Sequence, residues 1–315
     1  SEKYSIVDLN GNENEGTGWK TAEWNLGSHM DGSAATFAVY SKNATRILLE
    51  IYEQAYGEDA VFDCWMEKDE DDIWRAKVEG ISANNTMYAF RAWGPNWLFD
   101  EAWSRGGSNA GFITDYDQYG NRFNPNKVLF DPYARELSHD TNNPEMLALV
   151  GSSKNSVFTS GDTNRNEDSG KFIPKGYIIS DTTDFGTKPE IPQEKSIIYE
   201  AHVRGITQHS SSANLGTILS GIDGFNEVEN VPEDLRGTYA GAAYLAPYLK
   251  ALGITTIELL PVHETENDGN PDNSPGGNYW GYMTFGYFAP DRRYSSVKTP
   301  GGPTKEFKEM VNAFH

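Results

Sequence analysis

Glu264, Thr265 and Asn267 fall inside the segment HETEND at 263–268 and place a carboxylate, a hydroxyl and an amide oxygen within four residues. These are hard oxygen donors, suited to calcium rather than zinc. Calcium takes about 6–8 oxygens, so four residues cannot complete a site and further ligands must come from elsewhere. In a chain of net charge -20 the same loop also reads as a merely solvated acidic stretch. A second segment, GGNYWGYMTFGYFAPDRRYSS at 276–296, crowds seven aromatic side chains and an Asp-Arg-Arg cluster into what reads as a loop. Rings at this density suit a ligand with a flat or ring-shaped apolar face, which means a base, an aromatic cofactor or a sugar. The competing reading is plain packing.

Composition chooses among these ligands. With 26 Lys+Arg against 46 Asp+Glu, the surface repels phosphate backbones and anionic headgroups, so nucleic acid and membrane are set aside as partners. No apolar run approaches the length of a membrane span. Cys64 is the only cysteine, which excludes an intrachain disulfide and leaves the compartment undecided. Motifs for phosphate cradling, dinucleotide binding, zinc hydrolysis or a serine nucleophile elbow are absent from the sequence.

The elements that must position these residues change character along the chain. Residues 1–34 lack periodicity and read as a loosely held arm. Over 35–130, short alternating runs (ATFAVYS, TRILLEIY, VFDCWM, DIWRAKV, TMYAFRAWG) at roughly 8–15-residue spacing predict a small antiparallel β-sandwich. Trp65, Trp74 and Trp93 sit in these runs and read as core. Residues 131–195 are rich in turns and read as an irregular connection between domains. From residue 196, SIIYEAHV and ITTIELLP predict buried strands. Between them AYLAPYLKALG predicts a helix with Leu245, Tyr248, Leu249 and Leu252 on one face, which Pro247 either opens or kinks. PTKEFKEMVNAFH predicts a second helix through Phe307, Met310, Val311 and Phe314. Strand, helix, strand, helix is a parallel α/β unit, and over 196–315 it reads as one cut off before it is finished.

IIYEAHVRGIT, GTYAGAAYLAPYLKALGITTIELLPVHETEND, NYWGYMTFGYFAPDRRYSS and GGPTKEFKEMVNAFH together resemble bacterial isoamylase, a glycogen- and starch-debranching enzyme of the α-amylase clan. YAFRAWGPNW and GNRFNPNKVLFDPYARELSHD extend the resemblance upstream. It implies a carbohydrate-module-like β-sandwich followed by the first two βα units of a (β/α)₈ TIM barrel. It also implies hydrolysis of α-1,6 branch linkages of an α-glucan with retention. The tyrosine of the WGY element, Tyr282, would stack on the sugar at the cleavage subsite, with Trp280 bordering it and Tyr279 and Tyr287 as wall and packing residues. The resemblance places structural calcium (Ca2+) on Asp140, Glu264, Thr265, Asn267 and Asp291.

The aspartate nucleophile and glutamate acid/base of the clan have no counterpart up to His315, so the 315 residues alone are expected not to debranch. Glu200, His202 and Arg204 share a strand face but lack the partner carboxylate at about 5–5.5 Å that a retaining glycosidase needs. They are expected to satisfy one another in the interior, and His209 and His263 to be ordinary loop histidines. Export from a bacterium is the family's expectation. A pullulanase, a branching enzyme, a trehalose-releasing relative or a non-catalytic glucan-binding protein shares enough of the plan to stand as alternatives.

Overall fold

The computed structural model describes residues 3–12, 16–266 and 277–315, and the chain divides into two compact units, 1–180 and 181–315. Among the described residues of the first unit nine strands form two antiparallel sheets. They are β1 (Ser5–Ile6), β2 (Gly27–Asp31), β3 (Ala34–Tyr40), β4 (Arg46–Tyr52), β5 (Phe62–Trp65), β6 (Glu67–Lys68), β7 (Ile73–Glu79), β8 (Met87–Trp93) and β9 (Gly176–Tyr177). One sheet runs β1-β7-β3-β2 with β6 also on β7, and the other runs β5-β4-β8-β9.

Period-two alternation builds the core between them. Ala35, Phe37 and Val39 of β3 and Trp74, Ala76 and Val78 of β7 meet Ile47, Leu49 and Ile51 of β4 and Tyr88, Phe90 and Ala92 of β8. The opposite face of β4 and β8 is buried as well. There Glu50 and Arg91, both fully buried, form an ion pair with Nε–Oε1 at 2.7 Å, under a segment that supplies Arg105 and Asp168. Trp74 and Trp93 are buried as expected, whereas Trp65 is only half-buried against Trp93 and Phe99.

Two expectations for this unit need correcting. The stretch read as a loose arm is built into the sandwich. Ser5 and Ile6 pair with Glu79 and Val78, Trp19 is in the core with its Nε1 donating to the Val7 carbonyl at 2.9 Å, and Gly27–Asp31 is a full strand on β3. The stretch read as an irregular connection holds helices α1 (Pro144–Val150) and α2 (Lys154–Phe158) and the strand β9, which extends the second sheet.

In the second unit β10 (Ile198–Ala201) and β11 (Thr256–Leu259) pair in parallel, Glu200 directly beside Glu258. The crossover carries α3 (Gly205–Gln208), α4 (Leu215–Ile218), α5 (Tyr239–Ala243) and α6 (Ala246–Ala251). The predicted helix is α6, and only Ala243 of the stretch falls in α5. Pro247 opens α6 in its first turn, where its missing N–H costs nothing, and Leu245 and Leu249 are buried while Leu252 is exposed. A bulged antiparallel hairpin follows, β12 (His263–Thr265) on β13 (Thr284–Pro290), then α7 (Gly302–Phe314). Met310 of α7 packs with Val203, Tyr239 and Tyr294, joined by Phe307, Val311 and Phe314.

The two strands predicted as buried are instead largely open. Ile197, Ile198 and Tyr199 are exposed because a two-stranded sheet covers only the face its helices pack on, here through Ala201, Val203 and Leu259.

Candidate functional site

The hairpin β12/β13 decides where the chemistry-bearing residues go. The segment read as an aromatic loop is a strand over Thr284–Pro290, and its pairing with 263–265 shifts register on both sides of Glu264. That irregularity turns Glu264, Thr265 and Asp291 inward, all fully buried. Thr265 Oγ1 donates to Asp291 Oδ2 at 3.0 Å. Asp291 Oδ1 accepts from the Arg293 N–H at 3.0 Å and Glu264 Oε2 from Arg292 Nε at 3.0 Å. The Tyr239 hydroxyl donates to the Asp291 carbonyl at 2.9 Å, tying the cluster to α5. Burial pushes the Glu264 carboxyl up to about 7 against the pull of Arg292, with the charge of Asp291 adding to the rise.

Three of the five residues expected to hold calcium therefore meet in one place. Asp140 lies in the first unit, also fully buried, with Oδ1 accepting from the Asn142 N–H at 2.7 Å. Asn267 falls outside the described residues. Among the described residues no group of three or more His, Cys, Asp or Glu side chains is arranged to hold a metal. The donor set of two carboxylates and a hydroxyl is nonetheless all oxygen and has the hardness calcium requires.

The aromatic residues separate into held and open rings. Tyr279 is held: its ring stacks on His202 at 4.0 Å and 11°. His202 Nδ1 accepts from the N–H groups of Arg204 and Gly205, which leaves Nε2 to donate to the Tyr279 carbonyl at 2.7 Å. Arg293 Nη1 donates to the Asn278 carbonyl at 2.6 Å. Gly281 bends the backbone into left-handed φ (81°), where an added Cβ would come within 2.9 Å of Arg293 Nη2. Beyond this clamp stand the open rings, Trp280 at 55% exposure and Tyr282 at 69%.

Tyr282 lines a cleft of about 320 Å³ together with Glu200, Glu258, Leu259, Leu260, Pro261, His263, Thr284 and Tyr287. Several expectations change here. Tyr287, read as a packing residue, is 67% exposed and lines the cleft, while Trp280 is not among the lining residues. His263 begins β12 and also faces the cleft, so it is no plain loop histidine. Glu200 does not pair with His202 in the interior: it is exposed toward the cleft, while His202 turns to Tyr279 and accepts from the Arg204 N–H. Glu258 escaped the sequence reading. Its only signal there was a carboxylate inside an apolar strand run, and the parallel register sets it beside Glu200.

Comparison with known proteins sets this geometry in a family context. Residues 25–134 match the family model for carbohydrate-binding module 48, the isoamylase N-terminal domain. The chain is homologous to isoamylase from Flavobacterium sp, 42% identical over 304 residues, which is 92% of this chain and 36% of that protein. Isoamylase from Pseudomonas amyloderamosa is 43% identical over 303 residues, again 92% and 36%. The chain thus spans about a third of the length of the curated relatives it matches. Among solved structures, a pullulanase mutant from Paenibacillus barengoltzii complexed with maltotetraose superposes with a TM-score of 0.57 at 18% identity. It covers 94% of this chain and 37% of that one. The catalytic module of the glycogen-degrading pneumococcal virulence factor SpuA gives 0.58 at 20% identity, with 95% and 36% covered. At these identities the two structures establish likeness of fold.

Proposed function

We propose that the chain is the N-terminal part of an isoamylase-type glycoside hydrolase that cleaves α-1,6 branch linkages in glycogen and amylopectin with retention. The observation that carries this is the cleft at β10 and β11, walled by the exposed rings of Tyr282 and Tyr287, in a chain 42% identical to an isoamylase over 304 residues. In this reading the second unit is the opening of a (β/α)₈ barrel. The parallel pairing of β10 with β11 and the open apolar residues Ile198 and Tyr199 support it, since further parallel strands would cover them.

Tyr282 stacks on the sugar ring, and the Arg293–His202 clamp holds the backbone that presents it, so little ordering is needed on binding. Glu200 and Glu258 are not assigned to bond cleavage. Both are exposed and lie side by side, without the difference of environment that separates a general acid from a nucleophile. The bond-cleaving carboxylates are assigned to the part of the relatives' length that this chain does not span. Calcium is assigned to Glu264, Thr265 and Asp291. It would supply countercharge to the buried carboxylates and fix the hairpin that carries the cleft.

Full-length protein incubated with amylopectin should release linear maltodextrins with loss of the α-1,6 signal in NMR. Tyr282→Ala should lower kcat/KM about tenfold to a hundredfold by analogy with base stacking on aromatic rings, leaving the melting temperature unchanged. Products retaining every α-1,6 linkage would overturn the assignment. Hydrolysis of pullulan in preference to amylopectin would favour the pullulanase alternative.

A further inference from the structure

The ring of Tyr282 is carried by the backbone of 278–281, a stretch that belongs to no strand or helix. The turn supplies one bond of its own, from the Gly281 N–H to Asn278 Oδ1 at 3.0 Å. Further holds come from outside it. His202 follows β10 directly and is buried, next to Val203 in the core. It meets Tyr279 twice, ring on ring at 4.0 Å and 11°, and through Nε2 to the carbonyl at 2.7 Å. The same carbonyl accepts from Arg293 Nη2 at 3.3 Å. The Tyr294 hydroxyl stands 3.1 Å from His202 Nε2 and accepts from Arg293, which joins the two holds. One tautomer fits this arrangement: the N–H groups of Arg204 and Gly205 point at Nδ1 from 3.1 and 3.2 Å, so the hydrogen bonds assign the ring proton to Nε2. Gly205 makes room for the stacked ring, since a Cβ there would lie 2.3 Å from the Tyr279 hydroxyl.

We propose that His202 is a positioning residue for bond cleavage, acting through Tyr279 and Gly281 to fix the Tyr282 ring at the cleavage subsite, an inference that rests on the debranching activity proposed above. His202 is not among the residues lining the cleft, so no contact with substrate is assigned to it. Tyr282, at 69% exposure, has little packing to orient its own ring and takes its direction from the backbone before it. A neutral imidazole suits the task because it accepts on one side, donates on the other and offers a flat face to Tyr279. The sugar at the cleavage subsite distorts on the way to the transition state, so a displaced ring is felt in the rate more than in binding of the ground state.

The test is amylopectin debranching by the full-length protein, read as separate kcat and KM values. His202→Asn keeps an acceptor for the Arg204 and Gly205 N–H groups and loses the donor to Tyr279, whereas His202→Gln reaches Tyr279 and loses the acceptor. His202→Asn should lower kcat about tenfold with KM within about twofold of the parent, and His202→Gln should stay within about threefold in kcat. In a Tyr282→Ala background His202→Asn should cost less than about twofold more, because the ring it positions is gone. Costs that simply multiply overturn the proposal, since a histidine that only supports the fold would give them. A readout independent of activity is fluorine NMR of protein labelled with fluorotryptophan, because Trp280 packs edge-on against Tyr279 at 5.2 Å. Its resonance, identified by its loss in Trp280→Phe, should shift in His202→Asn while those of the other tryptophans hold. An unmoved resonance overturns the proposal. A parent that leaves amylopectin intact ends the debranching reading, and the Trp280 resonance still decides whether His202 positions this segment. If His202→Asn melts early, Gly205→Ala decides: its methyl group strikes the Tyr279 hydroxyl, so kcat should fall, and adding Tyr279→Phe should restore it. A Gly205→Ala protein with parental kcat overturns the proposal.

Discussion

Arg91→Met is the sharpest test of how the first unit holds together. Arg91 is fully buried on β8 and spans three partners: Glu50 through Nε at 2.7 Å, Asp168 through Nη1 and Nη2 at 3.0 and 3.1 Å, and the Pro125 carbonyl at 2.8 Å. Methionine fills similar volume but removes every one of these bonds. Glu50, itself fully buried, keeps Arg105 at 2.6 Å, and Asp168 keeps the N–H groups of Gly106 and Gly170. Breaking a buried pair costs about 3–5 kcal/mol because one charge is left behind, and the surviving partners argue for the lower end, about 3 kcal/mol. For a unit of this size that corresponds to a fall of roughly 6–12 °C in melting temperature. Tryptophan fluorescence during urea unfolding reads this unit selectively, since Trp19, Trp24, Trp65, Trp74, Trp93, Trp97 and Trp103 fall within it and only Trp280 outside. Adding Glu50→Leu should recover part of the loss, because the fully buried carboxylate left without Arg91 is then removed. A loss below about 1 kcal/mol, or strictly additive effects in the double variant, would refute the reasoning that this pair is coupled and desolvated.

Asp131 gives a pH signature: burial raises its carboxyl to about 6 although the Tyr88 hydroxyl and the Tyr133 N–H donate to it. The folded state therefore keeps a proton that the unfolded state releases near 3.8, so this contribution is complete below 3.8 and is lost as pH rises through 6. The window amounts to about 3 kcal/mol, and Asp131→Asn should flatten the stability profile between about pH 4 and 6 in urea titrations. An unchanged profile would contradict a raised carboxyl. For the proposed calcium site, hundredfold excess of the ion over its dissociation constant should add about 3 kcal/mol to the folded state. Glu264→Gln should remove most of the calcium-dependent rise in melting temperature, and identical melting with and without chelator would eliminate the site.

What could be read from residues alone was whatever local periodicity encodes. The alternation of β3, β4, β7 and β8 announces a sandwich because side chains at i and i+2 share a face whatever they pair with. The apolar row Phe307, Met310, Val311 and Phe314 announces α7 for the same reason at helical period. Residue type alone also marked Glu264 and Thr265 as oxygen donors, whereas Tyr282 was singled out only by the resemblance to isoamylase.

Tertiary structure decided everything that depends on a partner distant in the chain. Trp19 looks unanchored until Val7 and the strands around it close over its ring, so an aperiodic arm turned out to be core. Asp291 lies 26 residues from Thr265, and only the hairpin's shifted register brings their oxygens to 3.0 Å. Tyr279, before the strand, turns inward to His202 while Tyr287 of β13 stands in the cleft, although both are tyrosines in one aromatic run. Sequence specifies which side chains can stack or ligate, but the direction each one faces is set by strand pairing, which couples residues that no local pattern connects.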